Sequence, residues 1–461
     1  MMDFANKNVL VVGVGISGNA AAKLAKKLGA AKVVLSDAKA EKDLKYDLSD
    51  VRAAGVELVF GPQAASLLDG VDMVILSPAV PVKVPLVQEA YKRNISVVTE
   101  VQVAYELAKS PILAVTGTNG KTTTVTLLGE LMKTRYENAG VGGNIGIPLC
   151  EQAVQAGEGS CVVAEISSYQ MEATTNFRPH VAVVLNVTPD HVVRHGSLEV
   201  YQQMKEKMFS QQTPEDYLVL NYDNDKTRDM ANRAKGQVFF FSRLEKLEEG
   251  AFVQDGWLTI VWKGQTCRLC RTDELKIKGG HNVENALAAA AAAFLAGARI
   301  PKIIDVLKEF AGVEHRIEPV ATIAGVSYYN DSKATNTDSS IKALESFDGH
   351  IVLIAGGDDK MTDLTDFMTL VKERVDELIL VGDAAARFKE NALKLGYPAE
   401  HIHEAGYSME EAVKTAHAIA GPPQTVLLSP ACASFDMYEG FEARGRDFKR
   451  LVKALADNCL P

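Results

Sequence analysis

Gly117-Thr118-Asn119-Gly120-Lys121-Thr122-Thr123 is the stretch of this chain whose residue types point most directly to chemistry. An apolar run at 112–116 leads into it and a helix-forming run follows, so the glycines sit at a helix N-terminus. Backbone N–H groups there can cradle phosphate oxygens. A lysine can reach the β- and γ-phosphates, and the hydroxyl after it can ligate magnesium. The loop is shorter than G-x-x-x-x-G-K-[ST], because only two residues separate Gly117 from Gly120. An incidental glycine turn is the bland alternative. The strand–loop–helix context favours ATP or GTP instead.

Other candidates fall where strands should end. Gly13-Val14-Gly15-Ile16-Ser17-Gly18 follows one strand, and Asp37 closes the next, 22 residues after Gly15. That spacing suits a diphosphate at a helix N-terminus, with a carboxylate for a hydroxyl. By itself it fits NAD, another nucleotide or a ligand-free turn. Glu165-Ile166-Ser167-Ser168-Tyr169-Gln170 ends a strand at 162–166, where an acid can reach phosphate-bound magnesium. Asp190-His191 follows the strand at 181–186, and His191 could be a metal ligand, a phosphate contact or a loop histidine. Arg316, in the link at 310–318, could contact phosphate or ribose. Asp331-Ser332-Lys333-Ala334-Thr335-Asn336 gathers an acid, a base and polar groups after another strand. Cys432 has no specified base beside it, so packing outweighs nucleophilic use. Lys205, in Tyr201-x-x-x-Lys205 on a helix at 199–209, reads from periodicity as a solvated lysine.

The elements that must position these residues are strands alternating with helices, the pattern of parallel α/β sheets. Strands at 8–13, 32–36, 73–76 and 97–100 form a first unit, residues 1–99. Strands at 112–116, 162–166 and 181–186, a strand-rich stretch at 217–275 and a helix at 282–296 form a central unit, residues 100–312. Strands at 327–330, 351–355, 377–381 and 425–429 form a third, residues 313–461. The expected fold is three α/β domains. Rossmann-like N-terminal and C-terminal domains flank a central P-loop ATPase-like domain.

Composition narrows the partners. Lys+Arg of 49 against Asp+Glu of 59 gives a net charge of −10, and aromatics are only 7%, so no broad cationic or stacking surface for nucleic acid is expected. No apolar run suits a leader or a membrane span. Of six cysteines only Cys267 and Cys270 are close, and a lone C-x-x-C lacks the second pair a structural zinc requires. Reduced thiols in a cytoplasm are expected.

Taken in order, the motifs resemble those of the Mur ligases and folylpolyglutamate synthetases. The marks are G-T-N-G-K-T-T, E-x-S-S-x-Q, D-H, H-N-x-x-N at 281–285, H-R-x-E at 315–318 and D-S-K-A-T-N. Gly142-Gly143-Asn144-Ile145-Gly146 and the ending L-S-P-A-C-A-S-F-D are similar to the D-glutamate-adding branch of the Mur ligases, and no D-N-P-R motif is present. The resemblance implies ATP-dependent ligation of D-glutamate to UDP-N-acetylmuramoyl-L-alanine in peptidoglycan precursor synthesis, by a cytoplasmic monomer using two magnesium ions. It assigns Thr118, Asn119, Gly120, Lys121, Thr122, Thr123, Thr124, Asn282, Asn285, Arg316 and Asp331 to ATP. It assigns Val14, Gly15, Ile16, Ser17, Gly18, Asp37, Asn144, Ser167, Gln170 and His191 to the UDP substrate. D-glutamate falls to Lys333, Thr335, Lys360, Ser434 and Phe441. Metal ligation falls to Thr122, Glu165, His191 and Lys205, the last as a carbamate, and Lys121, His191 and Lys205 are the expected catalytic residues. Two positions depart from the family pattern, Val193 in place of an acid and Ala79 in place of a glycine. An NAD oxidoreductase would explain only residues 1–99, and a non-catalytic nucleotide switch would need no amino-acid pocket.

Overall fold

The computed structural model describes residues 2–44, 46–189 and 192–458, and within them three separate sheets. Runs such as Asn8–Val12 and Ile112–Thr116 lack polar alternation because both faces of each strand are covered. Each becomes a central strand.

The first sheet runs Glu57–Phe60, Lys32–Asp37, Asn8–Val12, Met73–Leu76, Ser96–Thr99, all parallel. Strand order reverses at Asn8–Val12. The glycine-rich loop therefore leaves the sheet at the crevice where doubly wound folds bind ligands. The last strand ends at Thr99, and Glu100 opens a helix, Glu100–Leu107, that leads into the next sheet. Glu100 is buried, with Oε1 accepting from the Cys150 backbone N–H at 2.5 Å and Oε2 meeting no donor. Burial pushes its carboxyl up to about 7, against the pull of the Cys150 N–H.

The nine-stranded central sheet places Ile112–Thr116 between Val181–Val184 and Val162–Glu165, with Gly140–Gly143 beyond. Parallel pairing continues on the other side through Tyr217–Asn221 and Gln237–Ser242 to Gly250–Gln254. An antiparallel hairpin, Trp257–Trp262 and Gln265–Arg271, completes it. The hairpin turns at Lys263-Gly264, both at positive φ as a tight two-residue turn requires. Cys267 and Cys270 share one strand with a bulge in the register between them, and Cys270 is buried, where burial pushes its thiol up to about 11, which suits packing.

The third sheet runs Glu318–Ile323, Val326–Asn330, Thr425–Leu428, Ile351–Gly356, Val375–Val381, Ile402–Glu404. Only its first pair is antiparallel. The chain divides into two compact units, residues 1–275 with 284–309, and residues 276–283 with 310–461. The first holds two sheets and the second holds one. Residues 276–283, expected within the central stretch, pack with the third sheet: Ile277 lies against Gly312, and both line a cavity with Arg316 and Tyr329. Among the described residues no helix is long and apolar enough to cross a membrane.

Candidate active site

The central phosphate loop leaves the buried strand Ile112–Thr116 and turns into the helix Lys121–Lys133. Gly120 makes the turn at φ +84, and a Cβ there would lie 2.3 Å from Asn285 Oδ1. Glycine is required on both counts, conformation and space. Asn285 Oδ1 also accepts from Thr124 Oγ1 at 3.2 Å, so the expected contact from the alanine-rich helix reaches the loop. Asn186 brackets the loop, its Oδ1 accepting from Asn119 N at 2.9 Å while its Nδ2 donates to Asn119 O at 3.2 Å. Lys121 Nζ donates to the Gly117 and Thr118 carbonyls at 2.9 and 2.7 Å. Its charge therefore stays over the loop and beside the positive end of the helix dipole. Thr123 and Thr124 are buried behind the loop, whereas Thr122 is partly exposed at the helix start.

Glu165 ends the neighbouring strand Val162–Glu165 and is buried. Oε1 accepts from Asn144 Nδ2 at 2.9 Å; Oε2 is buried with no hydrogen-bond partner. A buried carboxylate oxygen with no donor is costly unless a cation or water meets it. Its chemistry fits a hard cation, which prefers carboxylate oxygen. Asn144 N also donates to Glu165 O at 2.9 Å, so residues expected for different ligands are bonded to each other. Ser167 and Gln170 form a second local pair, with Gln170 Oε1 accepting from Ser167 N and Oγ at 2.9 and 3.0 Å.

Lys205 is not on a solvated face: it is 1% exposed, with Nζ 4.2 Å from the Tyr201 ring centroid. Tyr201, one helical turn earlier, donates its hydroxyl to Thr118 Oγ1 at 3.2 Å and so links that helix to the phosphate loop. The helix itself spans Leu198–Glu206. His191 lies outside the described residues.

At the first glycine-rich loop Asp37 accepts from two backbone N–H groups, Val14 N at 2.8 Å through Oδ2 and Lys39 N at 2.9 Å through Oδ1. Its carboxylate therefore shapes the loop. Ile16 is exposed at the loop tip, with Ser17 beside it, while Gly18 is buried in the helix.

In the second unit Asp331 is fully buried at the end of Val326–Asn330. Oδ1 accepts from Ile317 N at 3.2 Å and Arg316 Nη1 at 3.5 Å, and Oδ2 from Ser429 Oγ at 2.9 Å. Burial pushes its carboxyl up to about 6, opposed by the Arg316 guanidinium. Arg316 and Asn282 line one cavity of about 100 Å³ with Lys276, Lys278 and Tyr329. Lys333 Nζ lies 4.8 Å from the Phe441 ring centroid. Ser434 is buried after the strand Thr425–Leu428, Thr335 is half-buried, and Lys360 is exposed after Ile351–Gly356. Cys432 is buried, and burial pushes its thiol up to about 12, which keeps it unreactive.

Sequence reasoning missed Arg444. Its guanidinium is buried and donates to Ser332 Oγ and O, to Ala433 O and to Cys432 O, at 2.9 to 3.1 Å. Burial pulls it down to about 10. It pins together the loops that follow two strands, and no local motif marks it. Two other polar clusters are held by ion pairs. A cavity of about 220 Å³ by Tyr105 and Ser110 is lined by Arg178, His180 and Asp216, which satisfy one another. Glu314, His315 and Glu318 cluster with metal-ligand spacing, but the Lys449 ammonium bonds both carboxylates.

Comparison with known proteins covers nearly the whole chain. Residues 7–99 match the family described as Mur ligase MurD-like, N-terminal domain; residues 115–293 match the Mur ligase middle domain, and 315–432 the Mur ligase, glutamate ligase domain. A UDP-N-acetylmuramoylalanine–D-glutamate ligase of Thermoanaerobacter pseudethanolicus is 45% identical over 454 residues, covering 98% of this chain and 100% of its own. One from Clostridioides difficile is 39% identical over 456 residues, with the same coverage. Among solved structures, the MurF ligase from Thermotoga maritima in complex with ADP superposes with a TM-score of 0.60 at 17% identity, covering 99% of this chain and 100% of that one. UDP-N-acetylmuramate–alanine ligase from the same organism gives 0.59 at 21%, covering 97% and 100%. At those identities the superpositions speak for the fold.

Proposed function

The chain belongs to the Mur ligase family, and we infer that it joins the amine of D-glutamate to the alanyl carboxylate of UDP-N-acetylmuramoyl-L-alanine at the expense of ATP, a step in peptidoglycan precursor synthesis. Full-length likeness to the D-glutamate ligases carries the choice of substrates. The braced loop at 117–123 beside the unpartnered Glu165 Oε2 is what supports the chemistry in the molecule itself.

A carboxylate does not acylate an amine in water at neutral pH, so it must first be activated. Its oxygen attacks the γ-phosphorus of ATP, the bond to the bridging oxygen breaks, and an acyl phosphate and ADP result. The neutral amine of D-glutamate then attacks the acyl carbon, loses a proton, and expels phosphate from a tetrahedral intermediate. Phosphoryl transfer needs positioning and charge neutralisation above all. The helix N-terminus at Lys121 and the Lys121 ammonium supply both, with Thr118, Asn119, Gly120, Thr122, Thr123 and Thr124 shaping the loop. Asn285 braces it, and Asn282, Arg316 and Asp331 would hold the nucleoside and its phosphates.

Two magnesium ions would neutralise phosphate charge when bound. Thr122, Glu165, His191 and Lys205, as its carbamate, are the residues that would hold them. An ammonium repels a cation, whereas a carbamate offers it anionic oxygens. The UDP substrate would lie on residues 14–18, Asp37, Asn144, Ser167, Gln170 and His191. Lys333 and Lys360 would meet the two carboxylates of D-glutamate, with Thr335, Ser434 and Phe441 shaping the pocket. We take the domains as 1–99, 100–312 and 313–461, and the enzyme as a cytoplasmic monomer.

The test is phosphate release from ATP with UDP-N-acetylmuramoyl-L-alanine present. D-Glutamate should drive it and L-glutamate should not, because inverting the centre exchanges the amine and a carboxylate between fixed cations. Release that ignores the amino acid, or that prefers L-glutamate, would overturn this reading.

A further inference from the structure

Arg194 stands outside every role assigned above, yet its guanidinium is engaged on all sides. It lies on the short helix Val192–His195. Nε and Nη2 donate to the two oxygens of Glu172 at 2.8 and 2.9 Å, a bidentate pair in which Arg194 is 16% and Glu172 9% exposed. The remaining N–H groups reach three consecutive carbonyls of the first domain: Pro78 O at 3.3 Å, Ala79 O at 3.2 Å and Val80 O at 3.1 Å. The plane also lies 4.8 Å from the Tyr169 ring centroid. Glu172 is fixed in turn, because Lys207 Nζ donates to its backbone carbonyl at 2.8 Å and to that of Met171 at 3.0 Å.

What Arg194 grips is the floor of the first glycine-rich loop. Residues 77–80 form a turn closed by Val80 N donating to Ser77 O at 3.0 Å. A Cβ at Gly13, which adopts φ +99, would lie 2.6 Å from Val80 Cγ2 and 2.8 Å from Ser77 Cβ. The turn and the loop therefore touch, and a shift of one displaces the other. On its other side the grip adjoins the central sheet's edge. His195 sits between the Tyr169 and Tyr201 rings and pairs through Nε2 with Ser168 Oγ at 3.0 Å. Tyr201 in turn bonds Thr118 of the phosphate loop.

We propose that Arg194, oriented by Glu172, is a positioning residue for the UDP substrate: it holds the 78–80 turn against the central domain and thereby sets the height of the loop at 13–18. The proposal rests on the functional reading above. Three carbonyls converging on one guanidinium with a bidentate carboxylate behind it is a preorganised clamp, and a lysine could satisfy only part of it.

The experiment measures UDP-N-acetylmuramoyl-L-alanine binding by calorimetry, alongside steady-state KM values for all three substrates, in wild type, Arg194→Gln, Arg194→Lys and Glu172→Gln. Arg194→Gln should weaken UDP-substrate affinity roughly 10- to 100-fold, and leave the KM for ATP within about twofold. Arg194→Lys should recover part of the loss, and Glu172→Gln should show a smaller loss of the same kind. Unchanged UDP-substrate affinity in Arg194→Gln would overturn the clamp, as would equal losses for all three substrates. If Arg194→Gln fails to fold, Glu172→Gln decides by the same criteria. Wild-type protein that does not bind the UDP substrate would instead remove the functional reading, and the clamp with it.

Discussion

Two glycine-rich loops leave interior strands of two sheets in this chain, and they are held in different ways. The loop at 13–18 is held from outside by carboxylate and backbone: Asp37 takes the Val14 N–H, and the turn at 77–80 packs against Gly13. No lysine stands in it. The loop at 117–123 carries its own cation, folded onto its own carbonyls, and the nearby Glu165 has an oxygen with no donor. Both can receive phosphate. Only the second has the charge and the metal-type donor to stabilise a phosphoryl group in flight, so a glycine pattern marks phosphate binding and the residues around it decide whether bonds break.

The largest test of that contrast is Lys121→Ala. Phosphate release should fall about a thousandfold or more, while UDP-substrate binding measured by calorimetry stays near wild type. Loss of both in a folded variant would merge the two loops into one function. Glu165→Gln comes next, because it keeps the Asn144 contact but removes the anion. Turnover should drop about a hundredfold, with the magnesium concentration for half-maximal rate displaced upward; an unchanged magnesium titration would take Glu165 out of the metal site. Asp37→Asn probes the other loop. One of its two backbone N–H acceptors is lost to an amide group, so UDP-substrate affinity should weaken about tenfold. A matching rise in the KM for ATP would erase the contrast.

The smallest effect concerns the joint between the sheets that bear the loops. Glu100 has its carboxyl raised by burial to about 7, from 4.5. The folded chain then holds that proton up to about pH 7 while the unfolded chain has released it near 4.5. Stability is therefore lost as pH rises through that window and levels off above it. Glu100→Gln should be more stable to unfolding than wild type at pH 8, by on the order of 1–3 kcal/mol, and alike at pH 4. Neither loop's kinetics should change. A melting difference that does not vary with pH would place the cause in packing.

Much of this was legible because a parallel sheet delivers its carboxyl ends to one edge. Residues that close apolar runs, such as Glu165 and Asp331, could be placed from pattern alone. Periodicity taken one residue at a time makes Lys205 a solvated lysine, whereas it is buried. Tyr201 lies four residues before it on the same helical face, and the burial of one implies that of the other. Asp37 reads from its spacing as a ligand group, and its contacts with the Val14 and Lys39 N–H groups leave no mark in the sequence. Arg194, Arg444 and Asn186 act through partners distant in sequence, on carbonyls that carry no residue signature, and no spacing rule reaches them.

Arg444 has one more consequence, for how the chain is made. The loops it joins follow strands ending at Asn330 and Leu428, and its bond to Ser332 spans 112 residues. During translation both loops leave the ribosome before the arginine that unites them. A nascent chain therefore presents the loop at 117–123 early and ties the loops at 332 and 432–433 together last. Until the helix Phe441–Asn458 docks, the polypeptide has its glycine-rich loops but lacks the guanidinium that joins the ends of these two strands.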